Sequence, residues 1–297
     1  MTKAPDIHGG PAEERVAALL RLLDVTPRED RLFEGNRKRG GAGRIFGGEA
    51  VAQALAAASK TVPHELNVHS LHAYFLRGGS EDHASEYRVE ADFDGRSFSN
   101  RRVVALQQGE VILNLTASFH GVEPGHHHQA AMPDVPYPEN LPDLADALGQ
   151  AGGSQVPGAI MLRRPWPVEM RHVPPHSRTS TGASDQSIQA YWFRAVAPVD
   201  APQWMHRAIL AYVSDLGPLP MAALPYQPCD IQGASIDHSL WFHRDVRADN
   251  WLLYHLESPW AGGARGLGTG RIFDREGNLI ASVAQEGLMR DRAFRLS

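Results

Sequence analysis

Ser235-Ile236-Asp237-His238-Ser239-Leu240-Trp241-Phe242-His243 is the stretch that decides the fold of this chain. Ile236, Leu240, Trp241 and Phe242 suit a pleated, half-buried surface, so the stretch reads as a β-strand, yet its other five positions are polar. A strand that served packing alone would have no use for them. The same rhythm occurs at residues 69–75, His-Ser-Leu-His-Ala-Tyr-Phe, where Tyr74 and Phe75 answer Trp241 and Phe242 at a separation of 241 − 74 = 167 residues. Farther along, the turn at Gly109 followed by Glu110, Val111 and Ile112 answers Gly277 followed by Asn278, Leu279 and Ile280, a separation of 277 − 109 = 168. Two distant segments in step predict a duplicated unit.

The 297 residues suffice for two such units. With 42% hydrophobic and 21% charged residues the composition is that of a folded globular chain. A net charge of −5 gives no sign of nucleic acid, and the single Cys229 excludes an internal disulfide and fits a reducing compartment. No apolar leader is seen at the start, no apolar run is read as a membrane span, and the final Arg295-Leu296-Ser297 is not of the Ser-Lys-Leu type. A cytoplasmic protein without membrane contact is the expectation.

In chain order, residues 1–12 read as a frayed end and residues 13–25 as an amphipathic helix carrying Val16, Leu19, Leu20 and Leu23 on one face. Residues 31–45 are basic and glycine-rich, with Arg37, Lys38, Arg39 and Arg44, and read either as a solvated loop or strand edge or as a phosphate contact. Residues 49–62 form an alanine-rich helix, apolar on nearly every side and so expected to be buried all round. Strands are expected at 66–77, 85–93, 97–107 and 110–120, with hairpin signals at Asp94-Gly95 and Gln108-Gly109. Residues 121–164, rich in proline and glycine and holding His126, His127 and His128, read as a linker; consecutive histidines cannot all enter one metal shell, so no metal is expected. The second unit spans 165–297: strands at 167–174 and 187–197, a helix at 203–214, the strand at Ser235, and strands at 251–257, 266–273 and 279–289. Each unit, the first at 13–120, is thus α+β: one long helix with a mainly antiparallel sheet.

Phe46-Gly47-Gly48 opening an alanine-rich helix, Ser97-Phe98-Ser99 with Arg101-Arg102-Val103, Tyr212 with Ser214-Asp215, Ile236-Asp237-His238-Ser239 with Trp241-Phe242-His243, and Gln285-Glu286-Gly287 with Met289-Arg290 together resemble the type II acyl-CoA thioesterases. The resemblance implies a tandem double hotdog, two antiparallel sheets each wrapped around a long helix and joined edge to edge. It implies hydrolysis of acyl-CoA to a free fatty acid and CoA by a water held by an Asp, a Ser or Thr, and a Gln, which fall here on Asp215, Ser235 and Gln285. The expected partners are the acyl-CoA substrate and further copies of the chain, as a homo-oligomer, with no cofactor. A non-catalytic acyl-CoA binding or sensing protein and a hotdog enoyl-CoA hydratase are the alternatives.

The residues themselves weigh in the same places. Asp215 precedes Gly217-Pro218, where a carboxylate faces the negative end of its own helix at a cost of roughly 0.3–1 kcal/mol; it either binds the turn backbone at Gly217 or has another task. Gln285 alternates with Leu279, Ala281 and Val283 on the face that covers the helix, so it needs polar company, either Asp215 as the candidate or the backbone around a core glutamine. Strict alternation groups Ser235 with Asp237, Ser239 and Trp241 and leaves its face open. A triad of Ser235, Asp237 and His238 fails because neighbours on one strand cannot relay in line, and an Asp237-His238 pair fails because adjacent residues point to opposite faces. Gly266, Gly268 and Gly270 precede a strand and read as room for another backbone or a ligand. Arg96, Arg101, Arg102, Arg265 and Arg271 are the candidate CoA contacts, and Gly47-Gly48 a candidate source of oxyanion donors. With the helices matched at an offset of 159, the site residues fall in the first unit on Ala56, Val68 and Ala117, none of which holds a water or accepts a proton; one site per chain is expected.

Overall fold

A computed structural model describes residues 4–38, 40, 43–144, 146, 165–174, 188–226 and 231–292. Cys229, Arg39 and the final tripeptide lie outside the described residues. The elements are α1 (Ala12–Leu23), β1 (Val25–Glu29), β2 (Leu32–Gly35), α2 (Gly47–Ser59), β3 (Asn67–Phe75), β4 (Glu86–Asp94), β5 (Phe98–Gln107), β6 (Glu110–His120), β7 (Val168–Val173), β8 (Ile188–Ala195), α3 (Gln203–Ser214), α4 (Pro218–Ala223), β9 (Ile231–Ser235), β10 (Asp237–Phe242), β11 (Leu252–Gly262), β12 (Arg265–Phe273) and β13 (Leu279–Asp291). Each half has its hairpins where Gln108-Gly109 and Gly277 take positive φ.

All the described strands belong to one antiparallel sheet in the order β1-β2-β4-β5-β6-β3-β10-β13-β12-β11-β8-β7, with β9 also on β13. The seam between the halves is β3 against β10, the two copies of the repeat found in the sequence. Ser239 pairs with His72, its own counterpart 167 residues earlier, so an approximate twofold passes through that pair. A duplicated unit therefore meets itself as two copies of one chain would in an isologous dimer. This is the double hotdog.

The sheet curls around α2 and α3, which run antiparallel: the start of α2 lies on the end of α3, while Lys60 at the end of α2 reaches over the Trp204 ring at the start of α3, 5.6 Å away. Alanines let this happen. Ala52, Ala54, Ala56, Ala57 and Ala58 are all fully buried because sheet covers one side of α2 and helices α1 and α3 the other. The run Gln203–Tyr226 has the length and hydropathy of a membrane span, which the sequence expectation had overlooked, but most of it is buried within the protein.

Several boundaries differ from the sequence reading. Residues 4–11 are not a frayed end, since Ile7 is 2% exposed and His8 meets the Pro165 carbonyl at 3.0 Å. Helix α1 stops at Leu23, and Val25 begins a hairpin of β1 and β2 whose Pro27 sits on the sheet's outer edge, where a missing N–H costs nothing. The linker is more than a connection. Its segment around Met132–Leu141 covers the outer face of the second half-sheet, where Trp192 donates to the Pro136 carbonyl at 2.9 Å and packs with Trp251, Leu253 and Phe273. Of its histidines, His127 meets Arg244 at 2.8 Å.

Candidate active site

The quoted stretch is two strands. At Ile236 and Asp237 the ladder slips by one residue: Ile236 N–H donates to the Glu286 carbonyl at 2.9 Å, and the Asp237 side chain, in place of a carbonyl, accepts from Glu286 N–H at 2.7 Å. The bulge flips the alternation that the sequence had left open. Ser235 pairs with Gly287 of β13, and directly opposed residues share a face, so Ser235 joins Gln285 and Gly287 on the inner surface. His238, three residues on, is also inside and fully buried.

Asp215 caps α3 and points away from its own turn. Its Oδ1 accepts from Gln285 Nε2 at 2.5 Å and its Oδ2 from Gly48 N–H at 2.8 Å, so the turn-backbone alternative at Gly217 is not what the side chain does. The carboxylate thus leaves the negative end of one helix for the positive end of the other. Burial pushes its pKa up to about 7, against the pull of the Gln285 and Gly48 hydrogen bonds. Gln285 is 1% exposed, and its Oε1 has no partner among the described residues.

Two glycines make the approach feasible. A Cβ on Gly48 would lie 2.4 Å from the Tyr212 carbonyl oxygen, and one on Gly268, the residue paired with Gln285, would lie 2.4 Å from the Pro218 carbonyl oxygen. Gly268 thus answers the open choice of the sequence reading: α4 backbone, not a ligand, fills that space. Beside the site a cavity of about 250 Å³ is lined by Ser235, Gly47, Ala50, Phe75, Ile112 and Leu113, with Arg44 and Arg77 also on its wall. Ser235 is half-buried there and is not bonded to Asp215.

Other sequence candidates are occupied elsewhere. Arg101 is 2% exposed and bonded to the Thr61 hydroxyl, Asp94 and the backbone carbonyls of Thr61, Phe93 and Asn100; Arg102 pairs with Glu90 and Asp92, Arg265 with Glu286, and Arg271 with Glu257. Arg96 stays exposed in the turn before β5. In the basic stretch, Lys38 is turned inward between Glu49, 3.1 Å away, and Glu81, at 2.5 Å, and burial pushes the Glu49 carboxyl up to about 7. Among the described residues of that stretch, Arg44 is the cation on the cavity wall. Matched at their N-caps, Phe46 and Pro202, the helices are offset by 202 − 46 = 156, and at their C-caps, Lys60 and Asp215, by 215 − 60 = 155, so Asp215 is answered by Ser59 or Lys60 at the end of α2, not by Ala56. Neither carries a carboxylate.

A double hotdog holding a buried carboxylate, a buried amide and a cavity at the seam has close relatives. The chain matches the models of the acyl-CoA thioesterase N-terminal domain over residues 37–120 and C-terminal domain over residues 138–289. It is 39% identical to human acyl-coenzyme A thioesterase 8, with 94% of this chain and 91% of that protein covered, and 35% identical to acyl-CoA thioesterase 2 of Haemophilus influenzae, with 92% and 96% covered. Among solved structures it is similar to the acyl-CoA thioesterase II TesB2 of Mycobacterium marinum, with a TM-score of 0.79, 37% identity, and 94% of this chain and 100% of that one covered. The chain belongs to the type II acyl-CoA thioesterase family.

Proposed function

We propose that this acyl-CoA thioesterase hydrolyses its substrate by direct attack of water, with Asp215 as the base, Gln285 holding the Asp215 carboxylate in place, and Ser235 as a polar contact on the cavity wall. One observation carries this: a buried carboxylate gripped by Gln285 Nε2 at 2.5 Å and Gly48 N–H at 2.8 Å, with its pKa raised to about 7. A base matched to neutral pH is more effective than an ordinary carboxylate. In the reaction, a water proton passes to Asp215 as the oxygen bonds to the thioester carbonyl carbon. The tetrahedral oxyanion then expels the thiolate by breaking the C–S bond, and Asp215 returns the proton to give CoA and the free acid. Little acid help is needed, since a thiol has a pKa of about 8.5.

The oxyanion donor narrows to one of the two glycines that the sequence offered. Gly48 N–H is committed to Asp215, which leaves Gly47, on the cavity wall at the first turn of α2, where an N–H has no acceptor within its helix. The hydratase alternative loses its acid–base pair: Asp237 is tied to the Glu286 backbone and His238 to Ser214 on the opposite face.

The arginines at the cavity point to the CoA phosphates. Arg77 is steadied by the Val111 carbonyl at 2.9 Å and by Glu110, whereas Arg44 has no carboxylate partner among the described residues. Free-thiol release from a panel of acyl-CoAs tests the activity. With Arg44→Ala and Arg77→Ala, KM for acyl-CoA is expected to rise roughly tenfold, the scale of a lost charged hydrogen bond, while KM for the matching acyl-pantetheine, which lacks the phosphates, stays unchanged. Equal effects on both substrates would remove these arginines from phosphate binding. Absence of thiol release with every acyl chain would favour the binding-protein alternative.

A further inference from the structure

His238 is fully buried on the inner face of β10, and the chemistry above does not use it. Its counterpart 167 residues earlier is Leu71, also fully buried, on β3. The same fold therefore closes over a leucine at this place, and burying an imidazole in the second copy costs desolvation that packing does not require. Gln285 shows the same contrast, since its counterpart on β6 is Ala117. Polar replacements for apolar residues occur together. Ser239 pairs with Ala284 and the Asp237 side chain accepts from Glu286 N–H, so His238 lies across the ladder from Gln285.

The hydrogen bonds fix what the ring does. His238 Nε2 is 2.9 Å from Ser214 Oγ, and that hydroxyl donates its one hydrogen to the Ala211 carbonyl at 3.0 Å. Nε2 must then carry the hydrogen and donate to Oγ. The Ser214 carbonyl is held as well, by the Tyr254 hydroxyl at 2.9 Å. The last residue of α3 is thus tied to the sheet at two points, and the next residue is Asp215. We propose that His238 is a positioning residue for hydrolysis, which through Ser214 fixes the end of α3 so that the Asp215 carboxylate stays between Gly48 N–H and Gln285 Nε2. This rests on Asp215 being the base.

His238→Leu, which copies the first half, is expected to fold and to lose about ten- to a hundredfold in kcat with little change in KM, the scale of a misplaced reacting group. His238→Gln, whose amide nitrogen can donate where Nε2 did, should recover most of the loss. Ser214→Ala should lose as much as His238→Leu, and the double variant no more than either alone, because both break one link. A kcat for both single variants within about threefold of the parent, or losses that multiply in the double variant, would overturn the proposal. If His238→Leu does not fold, Ser214→Ala together with His238→Gln decides: a normal kcat in Ser214→Ala overturns it, and a low kcat there with a high one in His238→Gln supports it. Failure is distinguishable from failure of the base assignment, because in that case Asp215→Asn would itself remain active.

Discussion

Asp215→Asn is expected to fold, to melt above the parent protein at about pH 8, and to lose roughly 10² or more in turnover, the usual scale for a positioned base. The fold survives because an amide suits the same neighbours: its oxygen accepts from Gly48 N–H, and its nitrogen donates to Gln285 Oε1 once that side chain turns over. The gain in stability follows from the raised pKa. With the native carboxyl at about 7 and an ordinary value of 3.8, the folded state holds its proton more tightly than the unfolded state. This contribution is fully present below the unfolded value and is lost as pH rises through about 7. Above that, keeping the buried charge costs on the order of 4 kcal/mol, which asparagine avoids. The melting difference should shrink toward about pH 4. Thermal scans across pH with thiol-release rates check both halves; turnover within a few-fold of the parent would remove Asp215 from the mechanism.

Gly48→Ala is expected to damage both structure and activity although it adds a single methyl group. The added Cβ would sit 2.4 Å from the Tyr212 carbonyl oxygen, a backbone atom that cannot turn aside, so α2 and α3 must part. Overpacking of this kind costs about 1–3 kcal/mol, a fall in melting temperature of roughly 2–5 °C for a chain of this size. Parting the helices also draws Gly48 N–H away from Asp215 Oδ2, now 2.8 Å apart, so activity should fall even in the folded fraction. Melting by circular dichroism, with rates measured well below the transition, separates the two effects. Unchanged stability and rate would mean that the closeness of the helices is not needed.

Strands were legible where the pattern had period two and a glycine turn closed it, as at residues 110–120, which β6 matches to the residue. Gln285 was legible for the same reason: alternation put a buried amide over the helix, and a buried amide must have a partner. Ser235 was not, because a bulge is a choice between backbone and side-chain acceptors, made here by Asp237 and invisible in a pattern of apolar positions. His238 went unassigned with it, although the repeat offered a signal in the leucine at Leu71. The β1–β2 hairpin was missed because an edge strand carrying Pro27 and four charged neighbours has no buried face to print a period. Arginine roles were illegible from sequence, since which cation finds a carboxylate depends on strands brought together by the fold.

The pH dependence of kcat/KM tests the central claim most directly, because it reports the ionisation of the base in the free enzyme. The expected profile rises about tenfold per pH unit on the acid side, bends near the Asp215 value of about 7, and levels above it. In Asp215→Asn that bend should be gone from whatever activity remains. A profile flat from about pH 5 to 8, or a bend that persists in Asp215→Asn, would contradict a water activated by this carboxylate.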